Sequence, residues 1–294
     1  MKKICEFIFK ARQTQFIAIG KRKRKAEGSK YARMVFLTDT NAKKAENLQI
    51  GKAPQSRSMF EEPRLSLIEP MMDRNEALIF INGFLTESEK KPEDNKLLWR
   101  AIRKAGWRGS LYHLWWDSST PADFALSAAQ LGVGAILHWE VHERIAKEVG
   151  LVHTYPLLSS LNEEKVSIIG FSLGARIAYY TMRGWPSSNR KLQDIVLLGG
   201  AVRRGASKKW SDHVEKISGK LVNIYNEDDV VLSYLFKTVS INRSPCGIKP
   251  IKEFDPKIEN LNATHLIDSS KHNYTSYLPH LDNMLYQKLD WKVF

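Results

Sequence analysis

The segment VSIIGFSLGARIAYY, residues 166–180, constrains the fold more than any other part of the sequence. Its first half is rich in β-branched residues and predicts a buried strand, whereas the alanine-containing stretch that follows suits a helix. Between them a Gly-x-Ser-x-Gly pattern puts Ser172 on a sharp turn between two small residues. A plain strand-to-helix connection can carry the same letters, but the strand and helix on either side favour a nucleophilic serine at Ser172.

Apolar segments on both sides of this turn extend the pattern. The β-like runs are ALIFING, SLYHLWWD, DIVLLGGAV and KLVNIYNEDD, and helical spacing occurs in NKLLWRAIRKAG and across residues 121–150. Strands that alternate with helices indicate a mostly parallel sheet covered by helices on both faces. We expect this α/β domain to span residues 61–294, and residues 1–60, which are basic and rich in turn formers, to form an N-terminal elaboration packed on it.

Length and cysteine content place the chain in a broad class. A chain of 294 residues with 43% hydrophobic content can bury a large core within one domain. Its two cysteines, Cys5 and Cys246, cannot form a disulfide framework and are expected to be free thiols. No apolar run reaches the roughly 18 residues of a membrane span, and charged residues interrupt the N-terminal apolar stretch. We therefore expect a cytoplasmic protein, with peripheral membrane contact as an open possibility.

The net charge of +13 predicts a surface that attracts anions. The densest basic run is KRKRK, Lys21–Lys25, which lies between two apolar segments and suits an exposed loop. A merely solvated loop, a contact with an anionic membrane and nucleic-acid binding are the alternatives. No DNA- or RNA-binding motif lies beside the run, so nucleic acid is the weakest of the three.

A serine nucleophile needs a carboxylate and a histidine, which follow it in this order in hydrolases with such a turn. The acids Glu227, Asp228 and Asp229 lie just beyond the end of an apolar strand, where the carboxyl edge of a parallel sheet hosts catalytic groups. Any one of them could equally be a solvated turn residue. The residues alone leave the choice among the three open.

Three histidines follow these acids. His272, in DSSKHNYTSY, comes after a strand-like segment, NATHLID, and a short polar loop, which is where the base of such a site should lie. His265 falls inside the strand-like segment and is expected to be a packed core group, and His280 follows a proline in the last helical region. His272 is therefore the predicted base.

An oxyanion hole needs two backbone N–H groups aimed at the developing negative charge. One comes from the residue after the nucleophile, Leu173. The loop in IFINGFLTE, directly after an apolar strand, is expected to supply the second from Phe84, with Leu85 as the alternative donor and as a substrate contact. Asn-Gly is also a common turn dipeptide, so the position after a strand is what favours the functional interpretation.

Basic and aromatic side chains are further candidates for substrate contact. Arg203, with its neighbours Arg204, Lys208 and Lys209, follows a strand at the same edge and could meet a phosphate headgroup or simply be solvated. The tryptophans are expected to be mostly core, and some could line an acyl pocket; they are Trp99, Trp107, Trp115 and Trp116.

No cofactor or metal site is predicted. His138 and His142 in HWEVH have helical i, i+4 spacing and could share one face. Their order differs from the metalloprotease motif His-Glu-x-x-His, and no nearby cysteine completes a ligand set. We expect no metal at this pair.

The blocks INGFLTE, LYHLWWDSS, VSIIGFSLGARIAYY, DIVLLGGAV, KISGKLVNIYNEDDVVLSYLF and KHNY resemble, in this order, those of the domain-of-unknown-function 726 hydrolases. This family includes the transmembrane and coiled-coil domain 4 proteins. The resemblance covers roughly residues 77–281 and implies an α/β-hydrolase fold with lipase-like serine hydrolysis. It also implies that the acid is Asp229 and that the histidine is His272, with Lys271 in place of the family's glycine.

The expected function is therefore hydrolysis of carboxylic esters, most simply those of lipids, by Ser172, Asp229 and His272. The alternative is a hydrolase-fold protein without turnover that acts as a binding or scaffold protein at anionic membranes. Headgroup, acyl-chain length and oligomeric state do not follow from the sequence.

Overall fold

The computed structural model describes residues 60–84, 92–119, 134–239, 244–267, 272–286, 288–289 and 291. The described residues contain one seven-stranded sheet with the strand order β1-β3-β2-β4-β5-β6-β7. Its strands are β1 (Arg64–Glu69), β2 (Glu76–Ile81), β3 (Ser110–Trp115), β4 (Lys165–Phe171), β5 (Leu192–Leu198), β6 (Leu221–Tyr225) and β7 (Ile258–Asn262). Strand β1 runs antiparallel to β3, and the other pairings are parallel. The predicted, mostly parallel sheet is confirmed.

Helices follow most of the strands. The α-helices within the described residues are α1 (Pro92–Lys104), α2 (Gly134–Glu148), α3 (Thr154–Ser159), α4 (Leu173–Gly184), α5 (Trp210–Val214), α6 (Val230–Val239) and α7 (Leu281–Leu285). A π-helical turn over Val149–His153 joins α2 to α3. Short 3₁₀ turns lie at Ala206–Lys208, Tyr274–Ser276 and Leu278–His280. The first part of the predicted helical region, residues 121–133, lies outside the described residues.

The core lies on both faces of the sheet, because successive side chains of a strand point to opposite faces. In β2, Ile79 and Ile81 pack into a cluster that includes α2, α4 and α5. Leu78 and Phe80 pack into a second cluster with α1 and α7. Two apolar faces explain why the central strands read as continuous apolar runs. The predicted helical layers on both faces are thereby confirmed.

The tryptophans are mainly core residues, as expected. Trp99, Trp107 and Trp116 are buried. Trp115 is only half-buried, and the guanidinium carbon of Arg64 lies 4.2 Å from the centroid of its ring.

The prediction for His265 was wrong. Strand β7 ends at Asn262, and His265 lies in the turn that follows, where it is exposed rather than packed in the core. The predicted strand, NATHLID, is therefore displaced toward the C-terminus from the observed one. The physical reason is that β7 lies at the edge of the sheet and its side chains are only partly buried, so its sequence, IENLN, lacks an apolar run.

Two further sequence features can be located. Cys246 is buried and free, and burial raises the pKa of its thiol to about 12, so the thiol stays protonated. Among the described helices, none combines the length and the apolar character that crossing a bilayer requires. Cys5 and the basic run Lys21–Lys25 lie outside the described residues.

Candidate active site

The turn between β4 and α4 presents Ser172 at the carboxyl edge of the sheet. Its backbone has φ 55° and ψ −114°, a conformation that non-glycine residues rarely adopt and that costs about 1–3 kcal/mol. The N–H of Ser172 donates to the carbonyl of Leu198 at 3.0 Å, and its own carbonyl accepts from Ala201 N–H at 3.0 Å. A Cβ on Gly174 would collide with the backbone of β2, so only glycine allows α4 to approach so closely.

Two loops bring a histidine and an aspartate to this serine. Nε2 of His272 lies 2.9 Å from Oγ of Ser172, and its Nδ1 lies 2.5 Å from Oδ2 of Asp229. Oδ1 of Asp229 accepts a hydrogen bond from the N–H of Leu232 at 2.8 Å. All three side chains that form this chain of contacts are buried. Each carboxylate oxygen of Asp229 thus has a donor, which a buried charge requires.

The other candidates do not join this group. Glu227 and Asp228 are exposed, with Asp228 N–H donating to the side chain of Asn226 at 3.0 Å. His265 is exposed in its turn, and His280 is half-buried beside the start of α7. Of the acids and histidines considered from the sequence, the structure brings only Asp229 and His272 to Ser172.

Aromatic groups pack around the imidazole. The ring of Phe171, which precedes the serine, lies 4.8 Å from the ring of His272, centroid to centroid, with an interplanar angle of 34°. Burial raises the pKa of Tyr277, and the nearby charge of Asp229 raises it further, so its phenol is neutral.

The loop after β2 crosses directly over the serine. A Cβ built on Gly83 would lie 2.8 Å from Cβ of Ser172 and 3.2 Å from the carbonyl oxygen of Phe171. Phe84 follows and is half-buried, and Leu173 begins α4 and is fully buried. Both predicted oxyanion donors therefore belong to segments next to Ser172. Leu85 lies outside the described residues.

A buried polar pair supports this loop, and the sequence interpretation missed it. Nδ2 of Asn82 lies 3.2 Å from Nε2 of His113 on the neighbouring strand β3, and Nε1 of Trp116 donates to the carbonyl of Asn82 at 3.0 Å. Burial lowers the pKa of His113 to about 4, so the imidazole is neutral and can accept from the amide. Asn82 is thereby held at both its side chain and its backbone. The signal in the sequence was a polar residue at the end of an apolar strand, directly before Gly83.

Three aromatic rings pack beside Phe84. The ring centroid of Phe84 lies 5.8 Å from that of His138, 5.4 Å from that of Trp139 and 5.0 Å from that of His142. The two histidine rings stack at 4.5 Å, and Nδ1 of His142 lies 2.7 Å from the carbonyl of His138. Within the described part of the chain, no group of three or more His, Cys, Asp and Glu side chains could hold a metal ion. The two histidine rings pack against Phe84, beside the loop that follows β2.

The basic residues after β5 make mainly structural contacts. The backbone of Arg203 pairs with Pro245, and Arg204 donates from Nε to the carbonyl of Pro250 at 2.6 Å. Lys208 donates from Nζ to the phenol oxygen of Tyr180 at 2.9 Å. Lys209 is exposed and lies 3.7 Å from Asp212 (Nζ to Oδ2). A substrate contact by Arg203 stays a prediction.

The fold and the position of the serine define the class of protein. A mostly parallel sheet has helices on both faces, a serine lies on the turn after a central strand, and an aspartate and a histidine follow after later strands. This is the α/β-hydrolase fold. The family model described as "Protein of unknown function (DUF726)" matches residues 123–287, more than half of the chain, and the chain belongs to this family.

Three curated proteins are similar to part of this chain. An uncharacterized membrane protein of Caenorhabditis elegans is 34% identical over 150 residues, which is 49% of this chain and 24% of that protein. The "Transmembrane and coiled-coil domain-containing protein STS1" of Oryza sativa is 30% identical over 48% of this chain and 21% of its own length. The "Probable lipase MIL1" of Saccharomyces cerevisiae is 28% identical over 49% of this chain and 13% of its own length. Each match thus spans a quarter or less of the relative.

Solved structures with a similar arrangement are distant in sequence. An alpha-beta serine hydrolase homologue from Coxiella burnetii is 11% identical, with a TM-score of 0.38 over 77% of this chain and 91% of that one. LpqC, a poly(3-hydroxybutyrate) depolymerase from Bordetella parapertussis, is 9% identical, with a TM-score of 0.43 over 76% of this chain and 83% of that one.

Proposed function

We propose that the chain is a serine hydrolase of carboxylic esters. The observation that carries the proposal is the continuous pair of contacts from Ser172 to His272 to Asp229, at 2.9 Å and 2.5 Å. An imidazole between a serine hydroxyl and a buried carboxylate can take the hydroxyl proton while the carboxylate fixes its orientation. This arrangement makes Ser172 a nucleophile at neutral pH.

The reaction proceeds in two halves. His272 Nε2 takes the proton as Ser172 Oγ attacks the carbonyl carbon, and the resulting oxyanion accepts hydrogen bonds from the backbone N–H groups of Leu173 and Phe84. The imidazolium then gives its proton to the leaving alcohol, and an acyl-enzyme remains. A water molecule, deprotonated by His272, attacks the acyl carbon, and Ser172 regains its proton on release of the carboxylic acid.

Lipid esters are the proposed substrate class. The half-buried ring of Phe84, which packs against Trp139, supplies an apolar contact next to the proposed oxyanion donor. A relative carries the name "Probable lipase MIL1", and others are named membrane proteins. The net charge of +13 favours contact with an anionic bilayer, for which Lys21–Lys25 and Arg203 are the proposed groups.

Labelling with a fluorophosphonate probe tests the nucleophile. The probe should modify Ser172, and Ser172→Ala should abolish both labelling and ester hydrolysis while the far-ultraviolet circular dichroism stays unchanged. A panel of esters of increasing acyl length then tests the lipid assignment. Labelling that survives the substitution would remove Ser172 from this role. A folded wild-type chain that neither reacts nor hydrolyses any ester would instead favour the scaffold alternative.

A further inference from the structure

Four cationic side chains surround the ring of Tyr180 on helix α4. The Nζ atoms of Lys208 and Lys147 lie 4.9 Å and 6.0 Å from the ring centroid, and the guanidinium carbons of Arg176 and Arg183 lie 5.4 Å and 5.9 Å from it. The phenol is buried beneath them, with 4% of its surface exposed. Helix α4, the end of α2 and the 3₁₀ turn before α5 supply these side chains. Three separate elements thus bring positive charge to the surroundings of one ring.

Only one of the four cations has a carboxylate partner in the part of the chain that the structure describes. Arg176 lies 3.1 Å from Oε1 of Glu143 and also donates to the carbonyl of that residue. Burial raises the pKa of Glu143, although the charges of Arg176 and Lys208 oppose that rise. The remaining three cations have no carboxylate within 4.0 Å among the described residues; they are Lys147, Arg183 and Lys208.

The pKa of the Tyr180 phenol reflects the excess positive charge around it. Burial, the largest single effect, raises the pKa of Tyr180, but Arg176, Lys208 and Lys147 together outweigh it and leave the pKa below its ordinary value. A buried tyrosine normally shows the opposite shift, as the raised pKa of neighbouring Tyr179 illustrates. Positive potential at this place is therefore strong enough to overcome desolvation.

We propose that Lys147, Arg183 and Lys208 bind a phosphate group over Tyr180. A phosphate monoester carries nearly two negative charges and several acceptor oxygens, so it can satisfy three cations at once, which a single carboxylate cannot. Tyr180 is eight residues beyond Ser172 on α4, about 12 Å along the helix axis at 1.5 Å per residue. The site is thus separate from the candidate active site and does not depend on the proposed hydrolase function. The phosphate belongs either to a soluble metabolite or to a lipid headgroup.

Inorganic phosphate is the first probe, titrated against chloride at constant ionic strength. Phosphate should raise the midpoint of thermal unfolding and the pKa of Tyr180, the latter read from the ultraviolet absorbance of its phenolate. The double variant Lys147→Gln, Arg183→Gln should weaken phosphate binding about tenfold for each lost charge-assisted hydrogen bond. The matched control is Lys96→Gln, Arg100→Gln, which removes the same charge from exposed positions of α1 on the opposite face of the sheet.

Vesicle binding distinguishes a soluble phosphate ligand from a lipid headgroup. Phosphatidylcholine vesicles with phosphatidylinositol monophosphate are compared with vesicles of equal surface charge that contain phosphatidylserine. If the wild-type chain binds the phosphatidylinositol monophosphate vesicles more tightly, and only the double variant loses this preference while the control keeps it, the ligand is a lipid headgroup. Binding of free phosphate without that preference indicates a soluble ligand. The proposal is overturned if phosphate acts no differently from chloride, or if the control weakens binding as much as the cluster variant. Circular dichroism of each variant shows that the fold is retained, and Lys208→Met repeats the test at a third position.

Discussion

A methyl group added at Gly83 is the sharpest test of whether the loop after β2 supplies an oxyanion donor. The Cβ of an alanine there would lie 2.8 Å from Cβ of Ser172 and 3.0 Å from Cδ1 of Phe171. Nonbonded carbons normally stay about 3.5–4.0 Å apart. The loop must therefore retreat from the serine by about 0.7 Å or more, and the N–H of Phe84 moves with it.

The size of the effect follows from this displacement. A shift of about 1 Å in a catalytic group can reduce the rate about a hundredfold, and loss of one oxyanion donor reduces kcat by about 10²–10³. We expect Gly83→Ala to lower kcat for a soluble ester by about a hundredfold. KM should change little, because the donor acts on the oxyanion rather than on the bound ester. Reaction with a fluorophosphonate should slow in parallel.

Gly205 provides the matched control. A Cβ at Gly205 meets nothing within 4 Å, so Gly205→Ala adds the same methyl group without displacing a neighbour. Its kcat should equal that of the wild type, and circular dichroism should show both variants folded. A folded Gly83→Ala variant with kcat within about twofold of the wild type would refute the assignment of the loop as an oxyanion donor.

Four further substitutions test the site and the residues that support it. Asp229→Asn should lower kcat by about a hundredfold or more, because it disturbs the imidazole tautomer, whereas Asp228→Asn should have little effect; equal losses would contradict the geometry. Asn82→Leu leaves the ring of His113 without its amide partner and should lower the free energy of unfolding by about 1–3 kcal/mol, measured by urea denaturation. The free energy of unfolding should be highest above pH 6.5 and fall as the pH decreases toward 4. In this range His113 binds a proton in the unfolded chain but stays neutral in the folded chain, because its pKa is lowered there. The fall is at most about 1.4 kcal/mol per pH unit, and His113→Phe should reduce it.

The centre of the sheet was predictable and its edges were not. Strands β2 to β6 are buried on both faces, or nearly so, and therefore read as apolar runs. Strands β1 and β7 each have one neighbour, and their side chains are exposed or only partly buried. The sequence of β1, RLSLIE, gave no clear strand signal, and the strand predicted near β7 was displaced. A continuous apolar run therefore indicates a strand that is buried on both faces, and it does not identify every strand of the sheet.

The choice among the adjacent acids depends on a helix cap. Asp229 directly precedes α6, its Oδ1 accepts from the third residue of that helix, and its carbonyl accepts from Ser233 N–H. An aspartate before an apolar helical segment is a preferred N-cap, which holds its side chain at the helix end and leaves the second oxygen for His272. This signal was available in the sequence DVVLSYL. The contact of Asn82 with His113 was not, because it requires the strand order that puts β3 beside β2.

The segment that defines the family does not contain the whole site. The family model matches residues 123–287, which include Ser172, Asp229 and His272. The loop over the serine belongs to β2, and its support comes from β3, and both strands precede that segment. Strand β2 also pairs with β4 along its length, so without it the strand that leads to the serine would become an exposed, apolar edge. The geometry of the candidate active site therefore depends on sequence outside the matched family segment as much as on the three side chains within it.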